Sequence, residues 1–176
     1  MRSFAQPNPL SPYRLPMRPT TDKLLDRPAL LTRAHAWRVR GERIVFTNGC
    51  FDLLHAGHVE NLEQARRLGD RLVVGLNSDS SVQRLKGPSR PILSQHDRAR
   101  LLAALEAVDA VVVFDEDTPA DLIGALLPEV LVKGGDYAIH EIAGHEAVLA
   151  AGGRVETLPL VAGYSTSALV GRIRQG

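Results

Sequence analysis

Ile44-Val-Phe-Thr-Asn-Gly-Cys-Phe-Asp-Leu-Leu-His55-Ala-Gly-His58 is the stretch that decides the fold. Three apolar residues form a short strand, and Thr47-Asn-Gly49 ends it in a turn. Val59, Leu62, Ala65 and Leu68 then recur in steps of three, the face of a helix that stops at Gly69. A buried strand, a tight turn and an amphipathic helix in direct succession are half of a βαβ unit.

The pattern repeats downstream. Leu72 to Leu76 reads as a second strand, Ala110 to Phe114 as a third, Val130-Leu131-Val132 as a fourth and Val155 to Leu160 as a fifth. Between them, Ser94 and Asp97 form a capping pair ahead of Leu101, Leu102, Leu105 and Val108 at helical spacing. Thr118-Pro-Ala-Asp121 starts another helix with proline at its first position. A weaker helix is expected over residues 141–151, and Ser165 caps a last one packed by Leu169, Val170 and Ile173. Uniformly apolar strands alternating with helices predict a parallel sheet covered on both faces. With right-handed crossovers this is a doubly wound α/β fold, which binds ligands at the carboxyl ends of its strands.

Upstream of Arg43 the character differs. Five of the eleven prolines fall within residues 1–20, a density that blocks helix and ladder alike. Residues 1–21 are therefore expected to be an extended or disordered tail, residues 22–42 a short helical lead-in, and residues 43–176 the domain. Residues 1–42 carry eight Lys/Arg against three Asp/Glu, so +5; the remainder carries thirteen against seventeen, so −4. A mildly acidic body argues against nucleic-acid binding through a basic face. No apolar run approaches the roughly 18 residues of a membrane span. The single cysteine, Cys50, suits a reducing compartment, and the cytoplasm is expected.

The chemistry concentrates where the first strand meets its helix. His58 stands at the opening of a helix whose free N–H groups and positive dipole end attract phosphate, His55 stands in the preceding turn, and Gly57 lets backbone approach a ligand. Two imidazoles three apart can also serve zinc, but no Cys or Glu stands near at ligand spacing, so no protein-held metal is expected. Arg84, Lys86 and Arg90 lie within seven residues with no acid among them, with Gly87-Pro88 between. They read either as a solvated basic loop or as a lid that clamps phosphate. After the fourth strand, Gly134 and Gly135 allow backbone to lie against a base or ribose, Asp136 can accept from a hydroxyl or amino group, and an ordinary βα turn would use the same glycines.

Together these motifs resemble those of the histidine-x-glycine-histidine nucleotidyltransferase superfamily. Thr47 to His55, Asn77-Ser-Asp-x-Ser81-Val-x-Arg84-Leu-Lys86-Gly87, Lys133-Gly-Gly-Asp-Tyr137 and Gly163-Tyr-Ser-Thr166 are most similar to the adenylyltransferase family of ADP-heptose synthesis. The resemblance runs from about Gly41 to the end. It implies a five-stranded sheet of order 3-2-1-4-5 and transfer of AMP from ATP to D-glycero-β-D-manno-heptose 1-phosphate, releasing pyrophosphate. It also implies Mg²⁺ held mainly by the ATP phosphates. In this reading His55, His58 and Lys86 are catalytic. Cys50, Phe51, Gly57, Gly135, Asp136, Gly163, Ser165 and Thr166 meet the nucleotide, and Asn48, Asp52, Arg98 and Lys133 meet the sugar phosphate. Arg98 reads equally as a surface helix arginine, and Cys50 as a small buried hydrophobe.

Family members often carry a sugar kinase ahead of this domain. About 40 residues leave no room for one, so a stand-alone form, a separate kinase supplying the substrate and a homodimer are expected. Two rivals remain. One is a cytidylyltransferase of the same superfamily acting on glycerol phosphate or another phospho-alcohol. Against it, Leu160 stands where such relatives carry arginine. The other is a nucleotide-binding module without turnover, against which the retention of both histidines and Lys86 counts.

Overall fold

The computed structural model describes residues 19–161 and 163–175. The proline-rich stretch lies almost wholly outside them. A 3₁₀ turn over Thr20–Lys23 leads into a two-residue strand, β1 (Leu24–Leu25), and helix α1 (Arg27–Val39). Then follow β2 (Ile44–Gly49), α2 (Ala56–Arg66), β3 (Arg71–Asn77), α3 (Asp79–Lys86) and α4 (Gln95–Ala104). The chain continues through β4 (Ala110–Phe114), α5 (Ala120–Leu126), β5 (Val130–Gly134), α6 (His145–Ala150), β6 (Arg154–Leu158) and α7 (Thr166–Gln175).

The strands form one parallel sheet of order β1-β4-β3-β2-β5-β6. Its five long strands keep the expected 3-2-1-4-5 order, but the sheet has six strands, not five. Leu24 and Leu25 pair with Val111 and Val112 at the edge, a segment too short for any periodicity to show.

Alternation along β2 sorts the core into two layers. Ile44 and Phe46 point to the side of α1, α5 and α6, packing with Leu30, Trp37, Ile123 and Val148. Val45 points the other way, toward Leu62 and Ala65 of α2 and Leu102 of α4. Both faces are therefore dry, which is why these strands read as continuous apolar runs. The register sets β2 beside both β3 and β5, so the carboxyl end of β2 opens at the centre of the sheet.

Several local expectations are corrected. Residues 79–86 are a helix, not a loop: Ser78 caps it by accepting from the Ser81 amide at 3.0 Å. The segment after β5 is a 3₁₀ turn (Ile139–Glu141) followed by the short α6. Thr118 makes no capping bond at the start of α5, where Pro119 holds the cap position. Ile173 is 72% exposed and does not pack α7. Among the described residues, no helix is long and apolar enough to cross a membrane.

Candidate active site

α2 begins at the crevice because His55 caps it. The His55 backbone is extended, and its ring Nδ1 accepts from the His58 amide at 3.3 Å. With Nδ1 accepting, the neutral ring carries its proton on Nε2. The two imidazoles stack with centroids 3.7 Å apart and planes 14° from parallel. Phe51 stands 5.2 Å from the His58 ring, and Tyr164 stands 6.0 Å from the His55 ring. Gly57 makes this stack possible: a Cβ there would meet Tyr164 Cβ at 2.9 Å and His55 Nδ1 at 3.2 Å.

Burial first, then the neighbouring His55 and Lys86 charges, lowers the His58 pKa from 6.5 to about 4. Burial lowers that of His55 as well. Both rings are therefore neutral hydrogen-bond donors at pH 7. His58 Nδ1 is buried, close to the Leu53 backbone.

The three basic residues of the expected lid separate. Arg84 lies on α3 with its Nε 2.8 Å from Asp117, and it also donates to the Asp115 carbonyl. Arg90 Nε lies 2.9 Å from the buried Asp52. Lys86, at the last turn of α3, borders the crevice with no carboxylate partner among the described residues, whereas Arg90 lines the first cavity with its guanidinium held by Asp52.

Asp52 and Arg98, expected on the sugar phosphate, are turned inward. Asp52 is 1% exposed, and its Oδ1 accepts from the Ile92 and Leu93 amides at 2.6 and 3.3 Å. Arg98 is fully buried and gives its guanidinium to Asp79 Oδ1 (2.8 Å), the Cys50 carbonyl (2.5 Å) and the Leu93 carbonyl (3.1 Å). Three of its five N–H donors are taken, and full burial keeps the guanidinium away from the cavities. The pair fixes the signature loop against α3 and α4 instead.

Three joined cavities lie along the carboxyl edge. One of about 730 Å³ is bounded by His55, Gly57, His58, Tyr164, Ser165 and Thr166. Ser165 Oγ accepts from the Ala168 amide at 3.1 Å and so caps α7. A second, about 250 Å³, runs between β2 and β5 past Asn48, Cys50, Phe51, His58, Lys133 and Thr166. A third, about 450 Å³, continues beyond Lys86 and Lys133. Lys86 borders all three. Lys133 is largely desolvated, which lowers its pKa, and no carboxylate among the described residues pairs with it.

Gly135, Asp136 and Gly163 do not line these cavities. Gly135 has φ +120°, and its amide serves the Leu158 carbonyl at 2.8 Å, while Asp136 is exposed. Asn61, one turn beyond His58, was not singled out from the sequence. It lines two of the cavities, and its amide oxygen is buried without a partner. An asparagine on the polar side of a helix reads as solvated until the opposite wall is known.

The molecule is thus a doubly wound α/β protein with a crevice lined by imidazole and ammonium groups at its topological switch point. The model of the cytidylyltransferase-like family matches residues 46–172, and the chain belongs to that family. It is 57% identical over 152 residues to the bifunctional protein HldE of Methylobacillus flagellatus, covering 86% of this chain and 31% of the relative. To the bifunctional protein HldE of Halorhodospira halophila it is 60% identical over 151 residues, 86% and 32% of the two chains. The chain therefore spans about a third of the length of these relatives. Among solved structures it resembles the lipopolysaccharide core biosynthesis protein of Thermoplasma volcanium, with TM-score 0.57 and 27% identity over 69% of this chain and 98% of the other.

Proposed function

We propose that the chain transfers AMP from ATP to D-glycero-β-D-manno-heptose 1-phosphate, giving ADP-heptose and pyrophosphate. The observation that carries this reading is the junction at Lys86 and His58, two donors that border both a cavity of about 730 Å³ and a second of about 250 Å³. The similarity to HldE proteins and to a lipopolysaccharide core biosynthesis protein supports it. Leu160, exposed on the rim of the first two cavities, offers an apolar face to a base rather than a cationic donor to a cytosine carbonyl.

An oxygen of the sugar phosphate, already anionic, attacks the α-phosphorus in line, and the bond to the β-phosphate breaks as pyrophosphate leaves. No general base is required. The task is to align two anions and to meet the charge that develops, and His55, His58 and Lys86 supply fixed donors for it. The N–H groups at the start of α7, beside Ser165 and Thr166, hold the terminal phosphates. Asn48 and Lys133 face the acceptor; Cys50, Phe51 and Gly57 form the wall behind the nucleotide.

The first two cavities offer imidazole, ammonium, hydroxyl and amide groups, and their one carboxylate, Asp52, is engaged within the protein; in the third, Asp117 is held by Arg84 and Glu141 accepts from the Ala138 amide. That donor set does not fit a protein-held magnesium; in this proposal Mg²⁺ arrives on the triphosphate. A kinase reaction supplying the sugar phosphate, a cytoplasmic location and a homodimer belong to the same proposal. Pyrophosphate release measured for ATP, CTP, GTP and UTP against heptose 1-phosphate and glycerol 3-phosphate tests it. ATP with the heptose should exceed every other pair, and a preference for CTP with glycerol phosphate would overturn the reading.

A further inference from the structure

We infer that the third cavity is a carbohydrate seat: it holds the hydroxyl-bearing body of the acceptor, with Tyr137 as its platform and Thr118 and Glu141 reading hydroxyls. The inference rests on the function proposed above and names the part of the molecule that selects the acceptor.

The cavity's two ends differ in chemistry. At its inner end stand Lys86 and Lys133, two ammonium groups without a carboxylate partner among the described residues. Lys133 is largely buried, so an anion beside it replaces hydration that folding has removed. That end suits one phosphate. At the outer end stand Thr118, Asp117 and Glu141. Asp117 is held by Arg84 at 2.8 Å. Glu141 Oε2 accepts from the Ala138 amide at 2.9 Å, which leaves Oε1 to accept from a ligand. A carboxylate and a hydroxyl there accept from neutral hydroxyls and repel a second phosphate.

Tyr137, 47% exposed, lines the cavity beside Lys133, whose ammonium stands 5.7 Å from the ring centroid. Across the cavity stands Leu85, 52% exposed. An aromatic face covers the C–H side of a sugar ring while planar polar groups take its hydroxyls, so the lining matches a monosaccharide with a single phosphate at one end. Asn48 and Asn77 border the same space at the ends of β2 and β3, on the side where the phosphate enters. A short phospho-alcohol reaches the lysines but leaves Tyr137, Thr118 and Glu141 without a partner.

Calorimetric titration tests this, with α,β-methylene-ATP present, using heptose 1-phosphate, glycerol 3-phosphate and inorganic phosphate as separate probes. Wild type should bind heptose 1-phosphate more tightly than the other two. Thr118→Val and Tyr137→Ala, both at exposed side chains, should each weaken heptose 1-phosphate about five- to tenfold and leave inorganic phosphate within about twofold. Lys133→Met should weaken all three probes. The inference is overturned if heptose 1-phosphate binds wild type no better than glycerol 3-phosphate or inorganic phosphate, if either Thr118→Val or Tyr137→Ala leaves its affinity unchanged, or if either of these two variants weakens inorganic phosphate in step with it. Pyrophosphate release by the same proteins, with ATP in place of the analogue, separates the two claims: selective binding without turnover leaves the seat in place and removes adenylyl transfer.

Discussion

At the scale of single residues, His58 carries the sharpest consequence. Its ring is fixed by the stack on His55 and by Phe51, and it is neutral, so it meets developing charge as a donor that has no reorganisation left to undergo. His58→Ala should lower kcat about 10²–10³-fold, or roughly 2.7–4 kcal/mol, with a much smaller change in the KM for ATP. His58→Asn keeps a donor of similar reach and should recover part of the loss, whereas a general base would show no recovery. Steady-state kinetics of the two variants decide it; loss of ATP affinity at constant kcat would make the ring a ground-state anchor. Both histidines, Gly57 and Lys86 were legible because their chemistry is local: a helix start, a close approach and a cation near it. Asp52 and Arg98 were misplaced because what engages them is distant in sequence. The partners of Arg98 lie 19 and 48 positions away, and nothing in its own helix shows that it is buried. Asn61 escaped notice for the same reason.

At the scale of elements, α3 does the sorting among the basic residues. Its eight residues bury only Ser81 and Val82 and leave Leu85 exposed, so no apolar period marks it as a helix in the sequence. As a helix it sends Arg84 to Asp117 and Lys86 to the crevice. Arg84→Ala should therefore leave turnover within about twofold, while Lys86→Ala should lower kcat/KM about 10–100-fold, the worth of a charge-assisted hydrogen bond. Equal losses in the two variants would restore the picture of a common basic lid. Arg98 ties α4 to α3 and to the Cys50 carbonyl. Arg98→Met should cost about 3–5 kcal/mol in urea unfolding, because the groups it engages lose their buried partner; a cost below about 1 kcal/mol would show that the ties are dispensable. The long strands were readable because both their faces are covered. β1 was not, because two residues carry no pattern, and the order of the strands came from resemblance to a family rather than from periodicity.

At the scale of the whole molecule, the crevice leaves a mark on stability. His58 takes up its proton near pH 6.5 when unfolded and near 4 when folded, so between these values the unfolded chain binds more protons. Stability should fall as pH drops from 6.5 to 4 and this contribution should then level off; His55 acts in the same direction. Glu42, lowered to about 2 first by its Arg71 hydrogen bond, acts in a lower window, below 4.5. Thermal unfolding from pH 7 to 4 should show the decline, and His58→Asn should flatten it; an unchanged slope in that variant would assign the decline to other groups. In the proposed reaction a sugar phosphate oxygen attacks the α-phosphorus of ATP. The most direct test is a single turnover with heptose 1-phosphate labelled with ¹⁸O in its phosphate oxygens, the products being read by ³¹P NMR. The label should appear on the sugar-side phosphorus of ADP-heptose and in the bridge to the adenosine-side phosphorus, with unlabelled pyrophosphate. Label in the pyrophosphate, or a turnover that yields no nucleotide sugar, would contradict it.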